Sequence, residues 1–271
     1  ARDFLVPSRV NSGRFFALPQ SPQLFKQMLM VSGYDRYFQI VKCFRDEDLR
    51  GNRQPEFTQI DIELSFTNQD QILDLIEAMM ANLFKETIGF EIPLPIPRMT
   101  YQEAMDGYGS DAPDLRFGLK LIDLSSTVAN CKFKVFGDAI KNGGVVKAIR
   151  VPGGNSFSRK DLDDLTDFVR IYRAKGMAYV KIREEGWQSP ITKFFSEEEI
   201  RQINEVTGAT VGDLILFGAD TEKIVNDSLG NLRKEVAQRT GLIKEDEFNF
   251  VWVTEFPLFE FDEEEKRFSS S

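Results

Sequence analysis

Histidine is absent from all 271 residues. Without it there is no imidazole base for a Ser-His-Asp or Cys-His nucleophile and no HExxH zinc helix, so most hydrolase chemistry is excluded. Cysteine is nearly as scarce. Cys43 and Cys131 lie far apart and form no CxxC, which leaves a structural zinc site or a redox dithiol unsupported; both are expected to be buried, reduced thiols. No apolar run reaches the roughly 18–20 residues that span a bilayer, and the opening ARDFLVPSRV carries no signal-peptide core. A soluble, cytoplasmic protein with no membrane partner is therefore expected. An excess of positive charge is lacking too: 34 Lys and Arg against 43 Asp and Glu leave a net charge of −9, so any nucleic-acid contact must be local. What remains is chemistry by positioning and charge, from carboxylates, Arg, Lys, amides and a bound metal ion.

The composition otherwise suits a folded chain, with 42% hydrophobic and 28% charged residues. Residues 14–18 read as a strand. Ser21 and Pro22 offer an N-cap and a first-turn proline for a helix running to about residue 31. Residues 37–44 and 57–66 read as two strands of an antiparallel hairpin around a long polar loop, and 69–85 as a helix packed on that sheet. From about residue 117 the texture changes. Short strands at 132–136, 145–151, 178–183 and 213–217 alternate with helices, one opening at Ser158 after the turn Pro152-Gly153-Gly154 and another at Ser196, a cap followed by acidic residues that suit the helix dipole. Pro95, Pro97, Pro113 and Gly218 punctuate the candidate borders. A further helix spans about 221–240, and 248–261 is an aromatic, strand-rich stretch. The absence of a leading Met and the abrupt Ser269-Ser270-Ser271 end suggest a piece of something longer.

Three pieces carry chemistry. At period two, 57–66 places Thr58, Ile60, Ile62, Leu64 and Phe66 on one face, expected to be core, and Phe57, Gln59, Asp61, Glu63 and Ser65 on the other. Amides and carboxylates behind an aromatic suit a floor that holds an ammonium or cation and stacks a ring; spacing alone leaves open that this face simply meets solvent. The loop from Arg45 to Pro55 mixes three Arg with three acids, a phosphate clamp or an ordinary solvated charge run. Gln23, Lys26 and Gln27 share a helical face near an amide-rich terminus, either a carboxylate site or a surface lysine.

Taken together and in order, ALPQSPQLFKQ followed by FRDEDLRGNRQPEFTQIDIE resembles the amino-acid-binding helix and motif 2 of a class II aminoacyl-tRNA synthetase, closest to the bacterial type of aspartyl-tRNA synthetase. VPGGNSFSRKDLDD, VWVTEFPLFE and Gly218-Ala219-Asp220 extend the likeness over essentially the whole chain, the last matching the signature of the GAD insertion in bacterial members. The resemblance implies an α+β fold: a class II antiparallel sheet flanked by helices, with a first core part at 1–116, an inserted GAD-type α+β domain at 117–221, and a return to the core at 222–271 that stops short of motif 3. It implies ATP-dependent activation of L-aspartate and transfer to the 3′ end of tRNA by a homodimeric parent, with Mg2+ as cofactor. Arg45 would be the catalytic clamp on the ATP α-phosphate and the aspartate carboxylate. Glu47 would lie near the adenine amino group, Phe57 would stack on adenine, and Arg53 and Gln54 would face the triphosphate or the tRNA acceptor end. Ser21, Gln23, Gln59 and Asp61 would surround the substrate ammonium, and Lys26 would pair with the aspartate side chain. No metal ligand is expected within this segment. The family's anticodon barrel, motif 1, acidic metal ligands and motif 3 have no counterpart here, and Asn11 stands where a His is common, so the segment alone is expected to be inactive. The alternative is a non-catalytic synthetase-like module that binds tRNA or a protein partner.

Overall fold

A computed structural model describes residues 3–46, 53–262 and 266–270. The chain divides into two compact units, Ala1–Glu91 and Ile92–Ser271.

In the first unit, β1 (Phe4–Pro7) and β2 (Phe15–Leu18) form an antiparallel pair, followed by helix α1 (Gln23–Val31). Strands β3 (Arg36–Phe44) and β4 (Glu56–Leu64) form the expected hairpin, in a register that opposes Tyr37 to Glu63, Gln39 to Asp61, Val41 to Gln59 and Cys43 to Phe57. Directly opposed residues share a face, so these eight make one surface. That surface is the covered one. Helix α1 lies over it, whereas Phe38, Ile40 and Ile60 on the opposite face are 73%, 69% and 55% exposed. The sequence expectation of an apolar core face is thus reversed, because the ammonium of Lys26 on α1 finds its counter-charges on the polar side and draws the helix there.

Three further expectations change in this unit. Strand β4 ends at Leu64, and Phe66, with φ at 54°, turns outward and is 98% exposed. Helix α2 (Gln69–Ile88) opens on an Asn68–Gln71 capping box, yet Ile72, Leu75 and Leu83 remain exposed, so it does not bury that stripe on the sheet. Ser21 does not cap α1: the helix starts one residue later, with Pro22 at the cap position and no side-chain cap.

The second unit is built on a five-stranded antiparallel sheet. Strand β5 (Arg98–Thr100) leads into α3 (Tyr101–Tyr108), and then come β6 (Leu121–Asp123), α4 (Lys134–Lys141), β7 (Val145–Val151), α5 (Arg159–Ile171), β8 (Ala178–Arg183), β9 (Gly186–Gln188), α6 (Glu197–Thr207), β10 (Leu214–Asp220) and α7 (Glu222–Arg239). The sheet order is β6-β7-β10-β8-β9. Both faces are buried. Ile149, Val151, Leu214 and Leu216 meet α5 and α7 through Leu162, Leu165, Leu229 and Leu232, while Val146, Ala148, Ile215 and Phe217 face Phe136 of α4 and Ile203 of α6. Double burial explains why VVKAIRV and LILFGAD are near-continuous apolar runs rather than alternating ones. The caps at Ser158 and Ser196 are present as capping boxes with Asp161 and Glu199. Residues 132–136, expected as a strand, instead enter α4, because Phe133, Phe136 and Ile140 fall at helical spacing and bury on the sheet. Cys131 is half-buried rather than buried; both thiols are free.

Close packing joins α7 and α3 to this sheet. A Cβ on Gly230 would stand 2.7 Å from the Gly109 carbonyl oxygen, so only glycine permits that approach. Arg233 of α7 is fully buried between the rings of Tyr108 and Phe117, 4.9 and 4.4 Å away, and donates to the carbonyls of Asp114, Gly118 and Leu119 at 2.8–3.2 Å. Strand β11 (Trp252–Thr254) pairs parallel with β5, and β12 (Phe259–Asp262) pairs antiparallel with β13 (Arg267–Ser270).

Candidate functional site

The covered face of the β3–β4 hairpin gathers Lys26, Arg45, Phe57, Gln59 and Asp61 from the residues singled out in the sequence. Alternation along β4 presents Phe57, Gln59, Asp61 and Glu63 in turn, about 7 Å apart at the strand rise. Lys26 reaches down from α1 to donate to Asp61 Oδ1 at 2.9 Å and stands 3.3 Å from Glu63 Oε2. Its side chain and that of Asp61 are buried, and Glu63 is a third exposed. The hydrogen bond to Asp61 outweighs burial and raises the Lys26 ammonium above its ordinary pKa, so it is charged at any physiological pH. One cation between two carboxylates leaves the cluster net negative.

The remaining members are oriented by neighbours on the same face. Cys43 donates its thiol proton to Gln59 Oε1 at 3.1 Å, and burial pushes that thiol pKa up, which keeps it a donor. Tyr37 donates to Gln39 at 2.7 Å; burial and then the charge of Asp61 raise its phenol. At the other end the Arg45 guanidinium lies 5.0 Å from the centre of the Phe57 ring, and its backbone N–H donates to the Pro55 carbonyl at 2.9 Å, closing the base of the loop.

On this face two buried polar atoms have no hydrogen-bond partner among the described residues: Asp61 Oδ2, an acceptor, and Arg45 Nε, a donor. A buried polar atom left unmatched costs about 1–3 kcal/mol. The face therefore holds an unsatisfied anion-seeking donor beside an aromatic ring, and an unsatisfied cation-seeking acceptor farther along the strand.

The other residues expected at the site differ in exposure. Gln23 is exposed on α1, Arg53 and Gln54 are exposed after the loop, and Ser21 is half-buried before the helix. Glu47 lies outside the described residues. Glu63, the second partner of Lys26, and Cys43, which orients Gln59, had no role assigned from the sequence; the period-two face already contained Glu63, and the register of the two strands supplies Cys43. Among the described residues no group of three His, Cys, Asp or Glu side chains could hold a metal ion, and no helix is long and apolar enough to cross a membrane.

A helix laid over an antiparallel hairpin, with an Arg and a stacked ring at one end and a buried Lys–carboxylate cluster at the other, fits the class suggested by the sequence. The family model for class II tRNA synthetases (D, K and N) matches residues 1–271, and the chain belongs to that family. Among curated relatives it is 61% identical over 268 residues to the aspartate–tRNA(Asp/Asn) ligase of Syntrophotalea carbinolica, covering 98% of this chain and 45% of that protein. It is 60% identical over 270 residues to the enzyme of the same name from Geotalea uraniireducens, covering 100% and 46%. To the aspartate–tRNA ligase of Clostridium perfringens it is 57% identical over 269 residues, covering 99% and 45%. The chain thus spans a little under half the length of the curated relatives it matches.

Proposed function

We propose that the protein carrying this chain activates L-aspartate with ATP and transfers it to the 3′ end of tRNA, and that the covered face of the β3–β4 hairpin binds the two small substrates. The observation that supports this most strongly is the pair of unmatched buried atoms. Arg45 Nε is a donor suited to a phosphate oxygen, and Asp61 Oδ2 is an acceptor suited to the substrate ammonium. Arg45, just past β3, lies against Phe57 at one end of β4, and Asp61 follows after Gln59, about 14 Å of strand from Phe57, room for a nucleotide followed by an amino acid.

In the activation step an oxygen of the aspartate α-carboxylate attacks the α-phosphorus of ATP. The bond from that phosphorus to the bridging oxygen breaks, pyrophosphate leaves with the electron pair, and aspartyl-adenylate remains. No protein nucleophile or base is consumed, so a chain without histidine can contribute. The protein's work is orientation and charge stabilisation. Arg45 neutralises charge on the phosphate and brings the carboxylate to it, its planar fork giving a direction that a lysine would not. Phe57 offers its ring to adenine. Gln59, held by Cys43, and Asp61 receive the ammonium, while Lys26 turns from the two carboxylates to the side-chain carboxylate of the substrate. Ser21, Gln23, Arg53 and Gln54 are assigned to the rim of the same site, and Glu47 keeps only the role near the adenine amino group that the family likeness implies. The described residues do not form a magnesium site, and no step here runs through one.

The five-stranded unit is read as the inserted GAD-type domain, with Gly218-Ala219-Asp220 closing β10. The packing of α3 and α7 on its sheet supports grouping 101–108 and 222–239 with 117–221.

The test is aspartate-dependent pyrophosphate exchange in the full-length protein with Lys26→Met. The KM for aspartate should rise far more than the KM for ATP, and asparagine should be rejected less well. Equal effects on both substrates, or none, would overturn the placement of aspartate at Lys26.

A further inference from the structure

A cavity in the second unit is lined by none of the residues proposed to bind aspartate or ATP. It encloses about 760 Å³ between α4, the segment entering β8, the turn at 189–191 and the end of β10. That volume falls within the roughly 300–1,000 Å³ of small-molecule sites. Its walls are Phe133, Phe136, Met177, Tyr179, Ile191 and Phe217. Phe133 meets Phe136 edge-on at 4.8 Å, and Phe136 meets Phe217 at 5.5 Å, so one wall is an interlocked aromatic surface set against the sheet.

One end of this apolar space is charged. Asp220 closes β10 with its carboxylate largely buried, and Oδ1 accepts from the backbone N–H of Thr221 at 2.8 Å. Oδ2 is buried and has no hydrogen-bond partner among the described residues. The ammonium of Lys175 comes within 3.2 Å of it but does not meet hydrogen-bond geometry, and the Lys175 side chain is 87% exposed at the cavity rim. Backbone closes the far side: a Cβ on Gly144 would stand 2.3 Å from the Asp220 carbonyl oxygen. Asp138 also lines the space, so the lining carries two carboxylates and one lysine.

We propose that this cavity binds a small organic cation, an ammonium on an aromatic body. The ammonium is held by Asp220 Oδ2, and the body is seated against Phe133, Phe136 and Phe217. Lys175 is the internal competitor for the same carboxylate and is displaced outward into solvent when the ligand enters. This activity is separate from the adenylation site and does not depend on it, since no residue is shared.

Isothermal titration of the full-length protein with three probes of one shape tests the assignment: tryptamine, its neutral analogue tryptophol and the anionic indolepropionate. Tryptamine should bind about tenfold or more tighter than tryptophol, the scale of one charge-assisted hydrogen bond, with indolepropionate weakest. Asp220→Asn keeps the acceptor for Thr221 and should bring tryptamine down to the level of tryptophol. Lys175→Gln alters an exposed side chain and so leaves folding intact; it should tighten tryptamine about threefold, the scale of a released surface ion pair, without changing tryptophol. The proposal is overturned if tryptamine fails to bind at millimolar concentration, if it binds no tighter than tryptophol, if Asp220→Asn leaves its affinity unchanged, or if Lys175→Gln weakens it.

Discussion

Lys26→Met removes an ammonium and keeps most of the apolar stem, so its effect isolates the charge. In the folded protein Asp61, whose side chain is 9% exposed, and Glu63 would face each other without a cation. Breaking a buried pair from one side costs about 3–5 kcal/mol. Glu63 is a third exposed and can take up water, so the lower end, about 3 kcal/mol, applies. For an exposed lysine the change would stay within about 0.5 kcal/mol. Urea unfolding followed by circular dichroism is the assay, because Trp187 and Trp252, the chain's two tryptophans, lie in the second unit and do not report on the first. Adding Asp61→Asn to Lys26→Met removes the uncompensated charge and should restore about 1–2 kcal/mol.

The pH dependence has a definite sign. The folded-state pKa of Lys26 is raised, chiefly by its hydrogen bond to Asp61. Its contribution is therefore fully present below the unfolded value of about 10.4 and is lost as pH rises through the higher folded value. The stability gap between the protein and Lys26→Met should stay flat from about pH 6 to about pH 9 and close only above about pH 10.4. A gap under about 0.5 kcal/mol, or one that closes near neutral pH, refutes the buried ion pair.

Arg45→Lys in the full-length protein keeps the charge and loses the fork, so adenylate formation measured by pyrophosphate exchange should fall about 10²–10³-fold; a rate within about threefold would remove Arg45 from the reaction. Arg233→Met should destabilise the second unit by about 3 kcal/mol or more, read by Trp187 fluorescence in urea, because burial holds this guanidinium down to about 10 and still charged among carbonyls that nothing else would satisfy. Burial pushes the Asp213 carboxyl up, but N–H donors from Thr210 and Gly153 and the Arg150 guanidinium outweigh it and hold the group below the usual carboxylate range. Its stabilisation should thus persist above about pH 4 and fade as pH falls through the depressed folded value, and Asp213→Asn should flatten that acid limb in thermal melts. Deleting 117–221 alone strips the sheet from Val225, Leu229, Leu232 and Val236, all at most 1% exposed, and should yield aggregate on size exclusion, whereas a deletion carried through 240 spares those residues that exposure.

How far the site could be read in advance depended on which property each residue expresses. Period-two alternation in 57–66 placed Phe57, Gln59, Asp61 and Glu63 together, and that depends on the pleat alone. Which side would be covered was not legible, because alternation is symmetric between the faces. The decision was made by one long-range ion pair, Lys26 to Asp61, across 35 positions of sequence. The role of Cys43 needed the register, since the residue opposite Phe57 is unknown until the turn length and loop path are fixed.

The fold divides along the same line between local and long-range causes. Capping boxes at Ser158 and Ser196 act within four residues, and both helices open where the sequence placed them. Strand 145–151 was legible because a run buried on both faces needs no partner to be recognised. By contrast, residues 132–136 are a short stretch of alternating lysine and apolar residues that reads as a strand, and the sheet settles the matter by taking Phe136 of the helix against Phe217. The border near 221 shows the limit most clearly. Punctuation by Gly218 and the turn into α7 marks where the chain changes direction, but Arg233 reaches back more than a hundred residues to the carbonyls of 114–119. Gly109 and Gly230 bring the backbones of α3 and α7 into contact that no side chain would allow. A turn is a local event and a domain edge is a gap in packing, so α7, though it follows the turn, belongs physically to the sheet that precedes it.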